Sequence, residues 1–92
     1  SIKPFGSGAA INLSLPLDGQ FVRHTGVMTA DQPVNFATTG ATAGDWFWII
    51  RKSTGAFNLV LNAANVKNLA PDMSAFVMFD GSVWIVALMG SN

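Results

Sequence analysis

The chain has no cysteine, no glutamate and only one histidine, and it carries little charge of either sign. Each shortage removes a class of protein. Without cysteine there is no disulfide framework, and with His24 as the lone histidine a zinc site built from soft ligands is excluded. Glutamate, lysine and arginine usually supply the exposed faces of helices, so their scarcity argues against helical structure. Five Lys and Arg balance five Asp, for a formal net charge of zero. A phosphate-backbone binder needs a basic footprint, and a polybasic membrane anchor needs clustered cations; the chain has neither. The longest apolar run falls far short of the eighteen or more residues of a spanning helix. No amino-terminal stretch joins a basic region to an apolar core, so no secretory signal is expected. The expectation is no nucleic-acid partner, no membrane insertion and no cofactor.

What the chain does have is apolar surface. Half of its 92 residues are hydrophobic, with seven Phe and three Trp. That length gives one domain near the lower end of independent stability, burying only roughly 60–65% of the surface its unfolded form exposes. A monomer of this size has trouble covering so many large side chains, and oligomerisation is a usual remedy once disulfides are excluded. Val, Ile, Thr, Phe and Trp, punctuated by Gly and Asn, describe a β protein. The expected fold class is all-β, a small antiparallel sandwich or barrel-like domain of six to eight short strands. Residues 1–8, with Pro4, Gly6 and Gly8, read as an irregular lead-in, and residues 9–92 as a single β domain.

The dominant stretch is Trp46-Phe47-Trp48-Ile49-Ile50, followed by Arg51. As a strand it sends Trp46, Trp48 and Ile50 to one side and Phe47 and Ile49 to the other, so both faces want cover. The internal core can supply only one of them. Upstream, Ile11, Leu13, Leu15 and Leu17 alternate with Asn12, Ser14 and Pro16, as in a half-buried strand closed by an Asp18-Gly19 turn. Phe21–Thr25 alternates Phe21 and Arg23 with Val22 and His24. A third short strand is expected over 34–37 after a turn at Asp31 and Pro33. Gly55 suits the left-handed position of a short loop, which makes 46–62 a hairpin with 56–62 as its return strand. Residues 63–69 read as irregular. Asp80-Gly81 between Phe76–Phe79 and Val83–Met89 marks the clearest hairpin, again with an apolar strand on both faces.

Reaction chemistry is hard to find. Serines and aspartates are present, but none in a nucleophile-elbow sequence. The five aspartates, at 18, 31, 45, 72 and 80, each lie in or beside a turn, where side-chain-to-backbone hydrogen bonds are the ordinary use. A spatial carboxylate pair for glycoside hydrolysis and an oxygen cluster for calcium are the functional alternatives. His24 reads as a surface or partly packed residue, and Arg51-Lys52 as a solvated hairpin tip. The tryptophans Trp46, Trp48 and Trp84 have two readings. They are core or subunit-interface residues, or they form a stacking surface for a sugar ring with Asn58, Asn62 and Asp45 as polar neighbours.

The segment 32–89 resembles a module common in bacteriophage tail fibres and other virion appendages. The resemblance rests on a Gly-rich approach to a strand (Gly40-Ala41-Thr42-Ala43-Gly44-Asp45-Trp46-Phe47-Trp48), a short turn to a second strand (Ser53-Thr54-Gly55-Ala56-Phe57-Asn58-Leu59), and a closing strand, Asp80-Gly81 and Trp84-containing strand. It implies a non-enzymatic, commonly trimeric β module in the virion that attaches the particle to a host-surface glycan or to another virion protein. The usual first strand of that pattern is more polar than Trp46–Ile50, which favours an occluded interface here. The alternative is a carbohydrate-binding β domain using exposed tryptophans.

Overall fold

The computed structural model describes residues 2–15 and 20–92. The expected Pro16–Leu17 strand end and the Asp18-Gly19 turn lie outside the described residues. Nine strands and no helix occur among those described: β1 Ile2–Gly6, β2 Ile11–Leu13, β3 Phe21–Thr25, β4 Gln32–Phe36, β5 Trp46–Arg51, β6 Leu59–Asn62, β7 Lys67–Leu69, β8 Met73–Phe79 and β9 Trp84–Ser91. They form a five-stranded sheet in the order β1-β3-β5-β8-β9 and a four-stranded sheet in the order β2-β4-β6-β7. The all-β class holds. The antiparallel arrangement does not, because both sheets are mixed, and the sheets do not close into a barrel.

From β1 to β6 the chain alternates between the two sheets, so strands of successive passes stack in parallel. Three coils of a short solenoid result. Two antiparallel additions end it: β7 on β6, and the β8–β9 hairpin on β5. The expected hairpin over 46–62 is therefore absent. β5 and β6 follow one another but belong to different sheets, because residues 52–58 turn a corner of the coil. Gly55 does have positive φ, +107°. A Cβ there would sit 2.6 Å from the Met28 carbonyl oxygen. The glycine lets one corner lie directly on the corner of the previous coil, where Met28 N–H donates to Thr54 O and Thr54 N–H to Gly26 O.

Several local expectations change for the same reason. The stretch 1–8 contains β1, which pairs in parallel with β3 from Ile2–Phe21 to Gly6–Thr25. Lys67–Leu69, expected to be irregular, adds an edge strand to β6. Pro33 lies inside β4 and not in a turn. Gln32 N–H donates to Asn58 O, toward β6, so the nitrogen of Pro33 faces the other side. The ladder with β2 begins only at Val34, so no donor is missed there.

The core lies between the sheets. Alternation sends Ile11, Leu13, Val22, Val34, Phe47, Ile49, Leu59, Leu61, Ala75 and Val77 inward. At one end Trp84 anchors an aromatic cluster, with ring centroids 5.1 Å from Phe47, 5.3 Å from Phe79 and 5.7 Å from Phe36. Its indole N–H donates to Ala37 O at 3.0 Å, tying the hairpin to the chain leaving the opposite sheet. The hairpin itself forms as the Asp80-Gly81 signal indicates. Asp80 Oδ1 accepts the N–H groups of Ser82 and Val83. A bulge between Phe76 and Val77 leaves Ala87 as the extra residue. It reverses the alternation of β9, so Leu88 points outward and Met89 inward, opposite to a regular strand.

Replacing Gly55 with Ala should cost more than the ~1 kcal/mol of an ordinary glycine substitution, because strained φ and a backbone clash coincide. Urea denaturation of Gly55→Ala beside Gly26→Ala, whose added Cβ meets nothing within 4 Å, measures the clash separately from the φ strain.

Candidate assembly interface

Two unusual features stand out: a polar cluster inside the molecule and an apolar face outside it.

The polar cluster begins at Arg51, the last residue of β5. Alternation places it on the inward side with Phe47 and Ile49, and it is fully buried. Its Nη1 donates to Phe57 O (2.6 Å) and Leu69 O (2.8 Å), Nη2 to Gly55 O (3.1 Å), and Nε to Ser53 Oγ (2.9 Å). Burial lowers its pKa and the negative charge of Asp72 opposes that shift. Beside Arg51 in the sheet lies His24, also fully buried. Gln32 Nε2 donates to Gly6 O (3.0 Å) and Ala9 O (2.8 Å), which turns its Oε1 toward His24 Nε2 at 2.8 Å. That carbonyl needs a donor, so His24 carries its proton on Nε2. Nδ1 then accepts from the Ser53 hydroxyl at 2.7 Å.

His24 is thus no surface residue, and Arg51 no solvated tip. Both errors had a visible remedy, since His24 shares a strand face with Val22 and Arg51 shares one with Phe47 and Ile49. The Ser53–His24 contact has the spacing of a nucleophile and its base. However, Ser53 is 2% exposed, its oxygen is engaged by Arg51, and an amide rather than a carboxylate orients the imidazole. The cluster fits a structural role. Among the described residues no group of three or more His, Asp or Glu could hold a metal ion.

The apolar face is the outer side of the five-stranded sheet. Phe21, Trp48, Phe76 and Leu88 are successive partners across β3, β5, β8 and β9. Trp46, Met78 and Ile85 form the adjoining row, and Ile50 lies beyond Trp48. Phe21 is 41% exposed, Trp48 40% and Leu88 69%, while the others are half-buried against one another. Trp46 stacks on Phe76 at 26°, whereas Trp48 meets the same ring edge-on at 71°. The two indoles are therefore not coplanar. A shallow depression of about 270 Å³ lies among Trp48, Ser74, Phe76, Leu88 and Gly90. Strands β3, β5, β8 and β9 contain no carboxylate, and Arg23 is the one cation they turn outward.

The other sheet presents the opposite chemistry. Asn12, Asn35 and Asn62 are in register on its outer side, with Asn35 Nδ2 donating to Asn12 Oδ1 (3.0 Å) and Asn62 Nδ2 to Asn35 Oδ1 (2.9 Å). Asn58 precedes β6, its N–H held by Asp31 Oδ1 at 2.8 Å. The five candidate residues are thus distributed over three places. Trp46 and Trp48 lie on the apolar face, Trp84 is in the core, and Asn58 and Asn62 belong to the four-stranded sheet. Trp46 and Trp48 share Phe76, and Asn62 and Trp84 line a depression of about 250 Å³ between the sheets. Asp45 is used locally, its Oδ2 accepting Thr42 N–H at 2.7 Å. Comparison of the chain with protein-family models, with curated proteins and with solved structures finds no match.

Burial holds the His24 pKa below its ordinary value, reinforced by Arg51 and opposed by the bonds to Gln32 and Gly6. The unfolded chain takes up this proton near pH 6.5, and the folded chain only at lower pH. Stability should be full above that value and fall below it, by at most about 1.4 kcal/mol per pH unit. Urea midpoints between pH 5 and 8 should show this slope in the wild type and lose it in His24→Gln. Asp80, held below its ordinary value by the N–H groups of Val83 and Ser82, adds stability that is present across this range and lost only in more acidic solution, so it does not add to the slope. Arg51→Met should cost about 3 kcal/mol, because it takes the guanidinium donors from the buried Leu69 carbonyl and the partly buried carbonyls of Gly55 and Phe57.

Proposed function

We propose that this chain is a non-enzymatic structural and attachment module of a viral tail fibre or similar virion appendage, self-associating through the outer face of its five-stranded sheet. The observation that carries the proposal is the continuous apolar row Phe21–Trp48–Phe76–Leu88 with Trp46, Met78 and Ile85 beside it. The molecule measures 34 × 23 × 20 Å. The row crosses four adjoining strands, about 15 Å from β3 to β9 at the usual spacing of neighbouring strands. A small ligand would cover only a fraction of it. A like face on a second copy brings no charge conflict, since no carboxylate faces outward and Arg23 lies at the margin. The resemblance of 32–89 to appendage modules supports a trimer. In such an assembly the asparagine ladder remains outside, a hydrogen-bonding surface suited to a host glycan or another virion protein.

The exposure of Trp48 beside Ser74 and Gly90 favours a second reading, sugar stacking on the face itself. The unaligned indole planes weigh against it, because a sugar platform needs its rings in one plane.

Light scattering at micromolar concentration should give a mass that is a multiple of three chains. Trp48→Glu should lower the mass to one third, and stability should change little because the indole lies on the outer face. A monomeric wild type, or an unchanged mass in Trp48→Glu, contradicts the proposal. Quenching of tryptophan fluorescence by an oligosaccharide panel, abolished in Trp48→Ala, would favour the sugar reading.

A further inference from the structure

Among the described residues β9 is the longest strand and lies at the end of its sheet, with no strand beside one of its edges. The first half of that edge is already covered. Ala64 N–H donates to Trp84 O at 2.8 Å. The Asn65 side-chain amide then pairs with both groups of Val86, accepting its N–H at 2.8 Å and donating to its carbonyl at 3.1 Å. Asn65 thereby imitates one peptide unit of a sixth strand. This cover stops at the bulge.

Beyond the bulge the orientation of the peptide groups is fixed. Asn92 N–H donates to Asp72 O at 2.8 Å, so in the antiparallel ladder Leu88, Gly90 and Asn92 turn toward β8. Met89 and Ser91 consequently turn their N–H and C=O outward. Proline and charged side chains, the usual guards of an edge, are absent from residues 84–92. Lys67 lies across a depression of about 260 Å³ that it lines with Val86, Ala87, Leu88 and Met89.

We infer that the open half of β9, residues 87–91, pairs antiparallel with the same segment of a second copy about a twofold axis. Backbone donors and acceptors in a row specify an extended strand as the occupant. A second β9 fits because an uncharged strand paired with itself meets no like charge. The register is also set from both ends. Each copy's Asn65 blocks extension past Val86, so the overlap centres on Met89 with Ala87 opposite Ser91 of the other copy. Met89 and its counterpart then exchange two backbone hydrogen bonds. This contact uses the edge of the sheet and goes beyond the face-to-face association above. It also joins two apolar outer faces into one longer surface.

Ser91→Pro tests it. Ser91 is exposed and its N–H points away from β8, so proline removes an edge donor without breaking the hairpin. Light scattering should give Ser91→Pro half the mass of the wild type at equal concentration, whatever the state of the face contact. Ser91→Pro with Trp48→Glu should be monomeric, and Trp48→Glu alone dimeric. Amide exchange at Met89 should be slow in the wild type and faster by tenfold or more in Ser91→Pro. An unchanged mass in Ser91→Pro overturns the inference, as does fast Met89 exchange in the wild type. A face-to-face failure shows instead as an unchanged mass in Trp48→Glu.

Discussion

Arg51 is a charge in a dry place, and its hydrogen bonds hold the successive coils together. A guanidinium can be buried only if its donors find acceptors. Here it reaches the carbonyls of Gly55 and Phe57 in the following corner, Leu69 in the terminal strand β7, and the hydroxyl of Ser53. Ser53 passes the network to His24, one coil earlier, and Gln32 passes it to Gly6 and Ala9, one coil earlier again. The chain has no disulfide, so this network and the apolar core do the stapling. It also explains why no ion pair is needed around a buried cation: the corners of the coil turn their carbonyls inward.

That internal solution fixes what remains outside. Parallel stacking aligns Asn12, Asn35 and Asn62 on one outer face and Phe21 with Trp48 on the other. On the four-stranded sheet the repeat is asparagine, and the side chains satisfy each other along the ladder. On the five-stranded sheet it is aromatic and aliphatic, and the side chains satisfy each other only in part. Phe21, Trp48 and Leu88 keep large exposed areas after every neighbour within the chain has been used. Inside, the same alternation leaves the core filled and the polar atoms partnered. The surplus of apolar residues visible in the composition is therefore concentrated on one face and the edge beside it.

Much of this was legible in the residues. The alternation of 46–50 correctly separated Phe47 and Ile49, inside, from Trp46, Trp48 and Ile50, outside, and Asp80-Gly81 marked the β8–β9 hairpin. The coil was not legible. Partners in β3 and β5 (Phe21 and Trp48), like those in β4 and β6 (Val34 and Leu61), are 27 residues apart, but Ile2 and Phe21 are 19 apart and Ile11 and Val34 are 23 apart. Corners of unequal length hide the period, and a strand–Gly–strand sequence looks the same whether the chain reverses in one sheet or crosses to another. Charge misled as well: Arg51 and His24 sit at positions whose periodicity points inward, and only the structure shows the carbonyls and amide that make burial tolerable. Leu88 joined the apolar face through a bulge that no residue announces. Asn58 and Asn62, proposed beside the tryptophans, fell on the opposite sheet because β6 left the sheet of β5, while Asp45 closed its own turn with Thr42.

The decisive property is whether another copy covers the Trp48 face in solution. Acrylamide quenching of tryptophan fluorescence, followed on dilution from high to low protein concentration, reads this directly. Trp84 is buried in either state and provides a constant background. Association through the face predicts that quenching rises on dilution as Trp46 and Trp48 become accessible, and that Trp48→Phe makes the rise smaller. Quenching that is strong and independent of concentration would mean that the face is open to water, and would contradict the account.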